Sequence, residues 1–202
     1  MEENCLIGPE IIGDNTIDTS RVGQLLIAHP NLSPSDFFYK TVVYVYVDNG
    51  LDGTRGIILN MPSVLTIQEL CEKRDIWFPY SDARVFQGGP VAGDAVVMLH
   101  TDEWQSRNTT TAGPGYLLSS DYDMFEKLAD GNEPAYWRVF AGIASWAPGQ
   151  LDMELAGDFP YKSSNSWLIA KANDDIMFAY EGYDQWDKAV ELSSQQLFDS
   201  ML

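Results

Sequence analysis

Cysteine and histidine are scarce in this 202-residue sequence, which has two of each. Cys5 lies in a polar N-terminal stretch and Cys71 lies in a predicted helix, so a framework disulfide is not expected. None is required, because a chain of this length buries about 70% of the surface that it exposes when unfolded. The scarcity of cysteine favours a reducing cytoplasm.

Long apolar runs are also missing. No stretch approaches the roughly 20 apolar residues that a membrane-spanning helix requires. The first residues, MEEN, lack the basic side chains with which a signal peptide begins. We therefore expect a soluble cytoplasmic protein without a membrane partner.

Basic side chains are few relative to acidic ones. Twelve lysines and arginines stand against thirty aspartates and glutamates, and the formal net charge is −18 at pH 7. Such a surface repels phosphate backbones, and no cluster of Lys and Arg forms a local exception, so direct nucleic-acid binding is not expected. Two interpretations stay open. Either the charge keeps the protein soluble, as in a salty environment, or it attracts a basic partner protein and imitates a polyanion.

What the sequence does contain is a series of short segments rich in β-branched and aromatic residues, which predict strands. The clearest covers residues 40–47, where both alternating faces are apolar. Turn residues 48–53 predict a hairpin that returns at residues 56–60. Further strands are predicted at residues 24–28, 95–100, 116–118, 137–144 and 167–170.

Four helices are predicted between these strands. The first begins at residues 63–66 and turns Ile67, Leu70 and Cys71 toward the core. The second has Asp121 as its N-terminal cap. By the same start and stop signals, the last three helices cover residues 122–129, 148–155 and 184–192.

No repeat or long linker divides the chain, so we predict a single α+β domain over residues 21–192. Residues 1–20 contain few apolar side chains and predict a flexible arm, and residues 193–202 predict a C-terminal tail that frays. The polar residues 101–115 lack periodicity, which predicts a functional or mobile loop.

Two glycines and a proline at residues 88–90 mark the central crossing of the chain. Gly88 and Gly89 allow a positive φ or a very close backbone approach, and Pro90 fixes φ and removes a donor. An anion held by backbone N–H groups is one interpretation, but no Gly-Lys-Ser/Thr sequence follows. A turn required by packing is therefore favoured.

Six short segments occur in a fixed order: GQLLIA at 23–28, F-x-x-TVV at 38–43, G-x-x-GIILN at 53–60, GGPV at 88–91, LH at 99–100 and G-x-x-x-W-x-x-GQL-x-x-EL at 142–155. None is specific alone, but together they resemble the YqgE/AlgH family over residues 23–190. The resemblance implies a branched, mostly antiparallel sheet that curls into a pseudo-barrel with flanking helices. It also implies a family without an established biochemical activity, whose members are described as uncharacterised or as candidate transcriptional regulators.

The sequence departs from the family pattern at several points. His29 stands where an apolar residue such as Met is expected before Pro30, and Arg55 fills a position that is usually small. The N-terminal arm and the loop at 101–115 are also unfamiliar. These changes leave the predicted fold intact and suit a copy carried on a mobile or viral genome that acts in a bacterial host cytoplasm.

His100 is the first candidate for catalysis, because a histidine at the end of an apolar strand can act as a general base when a nearby aspartate orients it. A structural role, with the ring bonded to backbone, is favoured. A metal held by His29 and His100 lacks a supporting ligand spacing, so no metal or cofactor is expected. Ser145 is followed by Trp146 and has no glycine two residues later, so it does not form a nucleophile elbow.

A second set of side chains predicts a ligand-binding cleft. Gln150 and Glu154 lie four residues apart on one predicted helix face, where their polar heads can converge. Asn60, the turn Gly88–Gly89 and an aromatic wall at Trp146 would complete the cleft, with Glu154 as a weak candidate for a base. The alternative is equally open: Gln150 and Glu154 cap loops, and Trp146 fills the core.

We therefore predict a non-enzymatic regulatory or interaction protein that acts through a protein partner, with any effect on transcription indirect. The alternative is a small-molecule-binding protein or hydrolase with a pocket at Gly88–Gly89 and with His100 or Glu154 as base. An enzyme requires a concave site with a partnered titratable group, whereas an interaction protein requires an exposed apolar or strongly acidic face. Direct DNA binding would require a basic stripe, and the sequence contains none.

Overall fold

The computed structural model describes residues 20–157 and 166–202, so the predicted N-terminal arm lies outside the described residues except for Ser20. In chain order the strands are β1 Gln24–Ala28, β2 Val42–Asn49, β3 Gly53–Ile58, β4 Pro62–Thr66, β5 Arg84–Gln87, β6 Val91–Thr101, β7 Thr109–Gly113, β8 Tyr116–Ser119, β9 Trp137–Trp146 and β10 Trp167–Lys171. The α-helices are α1 Ile67–Glu72, α2 Tyr122–Ala129, α3 Gln150–Ala156 and α4 Gly182–Asp199, and a π-helical turn covers Asp175–Ala179.

The strands form a mostly antiparallel sheet that branches at β9. Its main path has the order β10-β1-β2-β3-β9-β6-β8-β7. One edge of β9 pairs with β6, while the other edge pairs with β5 in parallel at its middle and with β3 near its end. Strand β4 is attached to β5 alone. The predicted single α+β domain with a branched, mostly antiparallel sheet is confirmed.

The sheet curls until β7, at one end, lies over β2. The hydroxyl of Tyr44 on β2 donates a hydrogen bond of 2.8 Å to the carbonyl of Ala112 on β7. Inside the half-barrel the ring of Tyr44 meets that of Tyr116 at 5.6 Å, and the Tyr116 hydroxyl donates to Asp174. Burial raises the pKa of both tyrosines, further for Tyr116 through its bond to Asp174. The curled sheet thus encloses aromatic side chains.

Two hydrophobic clusters cover the sheet. The larger joins β1, β2, β3 and α4, with the indole N–H of Trp186 bonded to the Ala28 carbonyl at 2.8 Å. In the second cluster, α1 and α2 both bury apolar side chains against β5, β6 and β9. Ile67, Leu70 and Cys71 face this second cluster, as predicted. Within the two described ranges, no helix is long and apolar enough to cross a membrane.

Two sequence-based predictions of local structure are wrong. Residues 63–66 do not begin a helix but belong to β4, which pairs with β5. Thr66 then caps α1 in a capping box with Glu69. The segment 101–115 is not without structure, because Thr109–Gly113 pairs with β8. In both cases pairing with a neighbouring strand decides the conformation.

The last helix is also longer than predicted and continues to Asp199, so the predicted frayed tail is wrong over most of its length. The side chain of Gln196 accepts from the backbone N–H of Lys171 at 2.8 Å and donates to its carbonyl at 3.1 Å. These bonds cover the free edge of β10 at its last residue, Lys171. The final turns of α4 are therefore part of the packed structure.

Candidate functional site

Trp146, Gln150 and Glu154 meet at one place, and their polar groups are bonded to one another. One carboxylate oxygen of Glu154 accepts from the indole N–H groups of Trp146 at 3.0 Å and Trp167 at 2.9 Å. The other accepts from Gln150 at 3.0 Å, and the Gln150 amide oxygen accepts from the backbone N–H of Ala147. Both tryptophans are buried. This arrangement agrees with the alternative in which the residues cap a loop and fill the core.

Asn60 lies in a different set of contacts. Its amide oxygen accepts from the backbone N–H of Val42 at 2.9 Å. Its amide nitrogen donates to the carbonyls of Lys40 at 2.8 Å and Gly182 at 2.9 Å. Asn60 is only 3% exposed. It therefore connects the start of β2, the end of β3 and the start of α4.

The turn at Gly88 and Gly89 sits where the sheet branches. The Gly88 N–H donates to the carbonyl of Ala141 on β9, and its carbonyl accepts from the N–H of Ile58 at the end of β3, both at 2.8 Å. A Cβ on Gly88 or Gly89 would overlap the backbone of β9 at Gly142 and Ile143. The backbone groups of Gly88 are thus occupied by neighbouring strands, as expected for a turn required by packing.

His100 is fully buried at the end of β6. Its Nδ1 lies 2.9 Å from the carbonyl of Thr101 and must carry the proton, so Nε2 accepts from the Ser119 hydroxyl at 2.9 Å. Burial lowers the pKa of His100, although the bond to Thr101 and the charge of Glu103 act in the opposite direction. His29 instead accepts from the backbone N–H of Asn31. In the part of the chain that the structure describes, no group of three His, Cys, Asp or Glu side chains is placed to hold a metal.

We expect His100 to make the fold sensitive to acid. The pKa of His100 is lower in the folded chain than its ordinary value of about 6.5. The contribution of neutral His100 to the free energy of unfolding is therefore fully present above pH about 6.5 and is lost as the pH falls through the folded pKa. Urea unfolding at pH of about 7.5 and about 5 should show a smaller acid loss for His100→Gln than for the wild type. Equal losses in the two proteins would contradict this role.

An open aromatic cleft lies elsewhere, between helix α2 and the segment that follows α1. Its volume is about 590 Å³, and its lining includes Arg74, Asp75, Trp77, Tyr122, Glu126 and Asp130. We call this surface the Trp77 cleft. It combines large exposed rings with charged side chains at a concave surface.

Local backbone structure presents these side chains to solvent. After α1 the chain turns at Asp75, whose φ is 56°, and the N–H of Ile76 bonds back to the Cys71 carbonyl. Trp77 then points outward, while the apolar residues on either side of it are partly buried against the second hydrophobic cluster. On α2, Met124 and its apolar neighbours face the core, which leaves Tyr122 exposed at the first turn.

Trp77 is unlike the other tryptophans of the chain. The indole N–H groups of the other five donate to protein acceptors, and these residues are buried or half-buried. Trp77 is 74% exposed, and its indole N–H has no acceptor among the described residues. Tyr122, which lines the same cleft, is 63% exposed. Exposed tryptophan and tyrosine with an unused donor are typical of binding surfaces.

The Trp77 cleft is negatively charged. Asp75, Glu126 and Asp130 are exposed, and none of them takes part in the ion pairs formed by residues 20–157 and 166–202. Arg74 is the one cation of the lining, and its guanidinium donates to the backbone carbonyl of Asp94 on β6 at 3.0 Å. The cleft therefore favours a positively charged ligand.

Sequence reasoning missed the Trp77 cleft. The signal that could have revealed the cleft is the run Trp77-Phe78-Pro79-Tyr80. It places three aromatic residues around a proline, outside every predicted helix and strand. The sequence does not show that this run and Tyr122 line one cleft, because that depends on α1 and α2 packing on the same hydrophobic cluster.

The fold and the cleft define an α+β protein with a branched half-barrel sheet and an aromatic, acidic surface cleft. The family model described as AlgH-like (DUF179) matches residues 25–197, and the chain belongs to this family. It is 32% identical over 191 residues to a UPF0301 protein of Methylococcus capsulatus, covering 91% of this chain and 96% of the relative. It is 34% identical over 183 residues to a UPF0301 protein of Delftia acidovorans, covering 85% and 87%.

Solved structures agree with this assignment. The solution structure of AlgH from Pseudomonas aeruginosa matches with a TM-score of 0.71 and 27% identity, over 87% of this chain and 89% of that one. A crystal structure of a Corynebacterium diphtheriae protein, at 23% identity and a TM-score of 0.63, shows the same fold over 83% and 84% of the two chains. The predicted family is confirmed, and it is a family of unestablished function.

Proposed function

We propose that this protein is a non-enzymatic interaction module that binds a basic partner protein at the Trp77 cleft. The observation that carries the proposal is the exposed ring of Trp77, with its unused indole N–H, in an open cleft that Tyr122 also lines. Tryptophan, tyrosine and arginine are the residue types that contribute most to binding at protein interfaces, and the cleft contains all three.

Energy and charge both support partner binding. Covering a large apolar side chain such as Trp77 contributes about 1.5–3 kcal/mol, which is available only when a partner removes the ring from water. The net charge of −18 raises the local concentration and association rate of a basic protein. The same charge opposes contact with DNA, so any effect on transcription is indirect.

We place this action in the cytoplasm of a bacterial host. The relatives named above come from bacteria, and Cys71 is a free, buried thiol within the described residues. A buried thiol that is not in a disulfide suits a reducing compartment.

The proposal is tested by retention of a partner from host-cell lysate on the immobilised full chain. We expect a basic protein to be retained at low salt and released at moderate salt, because surface charge attraction is screened. The double variant Trp77→Ala/Tyr122→Ala should lose this protein. Mass spectrometry of the retained fraction identifies it.

Phe198→Ala is the matched control, because Phe198 is as exposed as Tyr122 but lies near the end of α4. This variant should retain the same protein as the wild type. The proposal is wrong if the double variant retains the same set of proteins as the wild type.

A further inference from the structure

We propose that the Trp77 cleft recognises an arginine side chain on an exposed segment of the partner. The guanidinium stacks on the ring of Trp77 or Tyr122 and pairs with the carboxylates beside it. This inference rests on the proposed function and names the chemical group that the partner must present.

The rings of this protein show how cations are used elsewhere in the chain. The Nζ of Lys40 lies 4.9 Å from the ring centre of Tyr183, which is 60% exposed, and 4.7 Å from that of Trp186. Lys127 lies over the ring of Trp104 at 5.4 Å. In contrast, no cation from residues 20–157 or 166–202 lies over Trp77 or Tyr122. The two rings of the cleft are therefore free to accept a cation from outside.

Charge complementarity selects the same ligand. Asp75, Glu126 and Asp130 line the same cleft as the two rings and have no ion-pair partners in the described chain. A cation bound there can interact with an aromatic ring and form an ion pair with a carboxylate. The cation already present, Arg74, is hydrogen-bonded to the carbonyl of Asp94 on β6. Arg74 therefore has a hydrogen-bond acceptor that is not part of the Trp77 cleft.

Geometry favours arginine over lysine. A planar guanidinium can lie flat on an aromatic ring and still donate two parallel hydrogen bonds to a carboxylate, whereas an ammonium group is compact and more strongly hydrated. When a ligand covers the ring of Trp77, its indole N–H loses water as an acceptor, and the backbone carbonyl of a peptide can replace it. The recognised unit is thus an arginine within an extended peptide segment.

The test uses the full chain labelled with ¹⁵N and a capped hexapeptide with two central arginines. Its twin carries citrulline at both positions, which keeps the side-chain length but removes the charge. At low salt, the arginine peptide should shift the indole N–H signal of Trp77 and bind about tenfold more tightly than its twin. The indole signals of the five other tryptophans should stay in place. The spectrum of Trp77→Phe identifies the Trp77 signal by its loss.

Variants separate the ring from the carboxylates. Trp77→Ala and Glu126→Gln should each weaken binding of the arginine peptide about fivefold, measured by calorimetry. Phe198→Ala and Asp187→Asn change an exposed ring and an exposed acid on α4, and both should bind as the wild type does. Thermal unfolding of each variant verifies that it is folded.

The inference is overturned if the citrulline peptide binds as tightly as the arginine peptide, or if Trp77→Ala binds like the wild type. If the peptide fails while the lysate partner still depends on Trp77 and Tyr122, arginine recognition is wrong and the proposed function stands. If the lysate partner is also independent of the cleft, both are wrong.

Discussion

Replacement of Arg138 by methionine is expected to lower the free energy of unfolding by about 4 kcal/mol. The side chain of Arg138 is partly buried, and its guanidinium donates to the carbonyls of Leu59, Phe178 and Tyr180 at 3.2, 2.9 and 2.6 Å. It also donates to the side chain of Gln185 on α4. Methionine fills similar space but leaves these acceptors without a donor. Urea unfolding measures the loss.

The environment of Arg138 explains the size of this effect. Burial lowers the pKa of Arg138 to about 10, although the charge of Glu181 acts against the shift. The guanidinium also lies 4.7 Å from the ring centre of Phe86. Arg138 therefore joins β9, β5, the end of β3 and the segment that leads into α4. Its loss affects all four at once.

Arg84→Met is the matched control for Arg138. Arg84 is about half exposed and makes one ion pair with Glu181 at 2.8 Å. Exposed pairs of this kind contribute about 0.2–1 kcal/mol, so this variant should unfold almost like the wild type. A loss of less than about 1 kcal/mol in Arg138→Met would show that the interior hydrogen bonds are not important for stability.

Replacement of Gly89 by alanine is expected to cost about 4 kcal/mol or to prevent folding. A Cβ at Gly89 would overlap the backbone of Ile143, and the φ of 157° adds strain for any residue with a side chain. Because Gly89 packs on backbone and not on a flexible side chain, the neighbouring strand must move. The branch point of the sheet is then displaced.

Gly93→Ala is the control for this steric argument. A Cβ at Gly93 has no atom within 4 Å, and Gly93 is exposed in the first half of β6. Thermal unfolding should therefore place this variant within about 0.5 kcal/mol of the wild type, with similar soluble yield. A Gly89→Ala protein with wild-type stability would contradict the close approach of the two strands.

Much of the fold could be predicted because its signals are local. Asp121 caps α2 as predicted, with a hydrogen bond from the N–H of Met124 at 2.9 Å. The turn after β2 also forms the predicted hairpin. Strands β4 and β7 could not be predicted, since a neighbouring strand fixes their conformation. The end of α4 depends on Gln196, whose partner Lys171 is distant in the sequence.

The candidate site was predictable only in part, for the same reason. The four-residue spacing of Gln150 and Glu154 correctly brought their side chains together. The residues next to Gln150 and Glu154 in the sequence do not show that the indole N–H of Trp167 also donates to Glu154 and completes the hydrogen-bonded cluster. The Trp77 cleft joins two segments whose proximity is set by packing of α1 and α2 against one core.

The most direct test of partner binding at the Trp77 cleft is site-specific photo-crosslinking in the native host. A photoreactive phenylalanine analogue is placed at position 77 in one variant and, as a control, at position 198 in another. We predict that position 77 forms a discrete adduct with a basic protein and that position 198 does not. No adduct at position 77, or the same adducts at both positions, would contradict it.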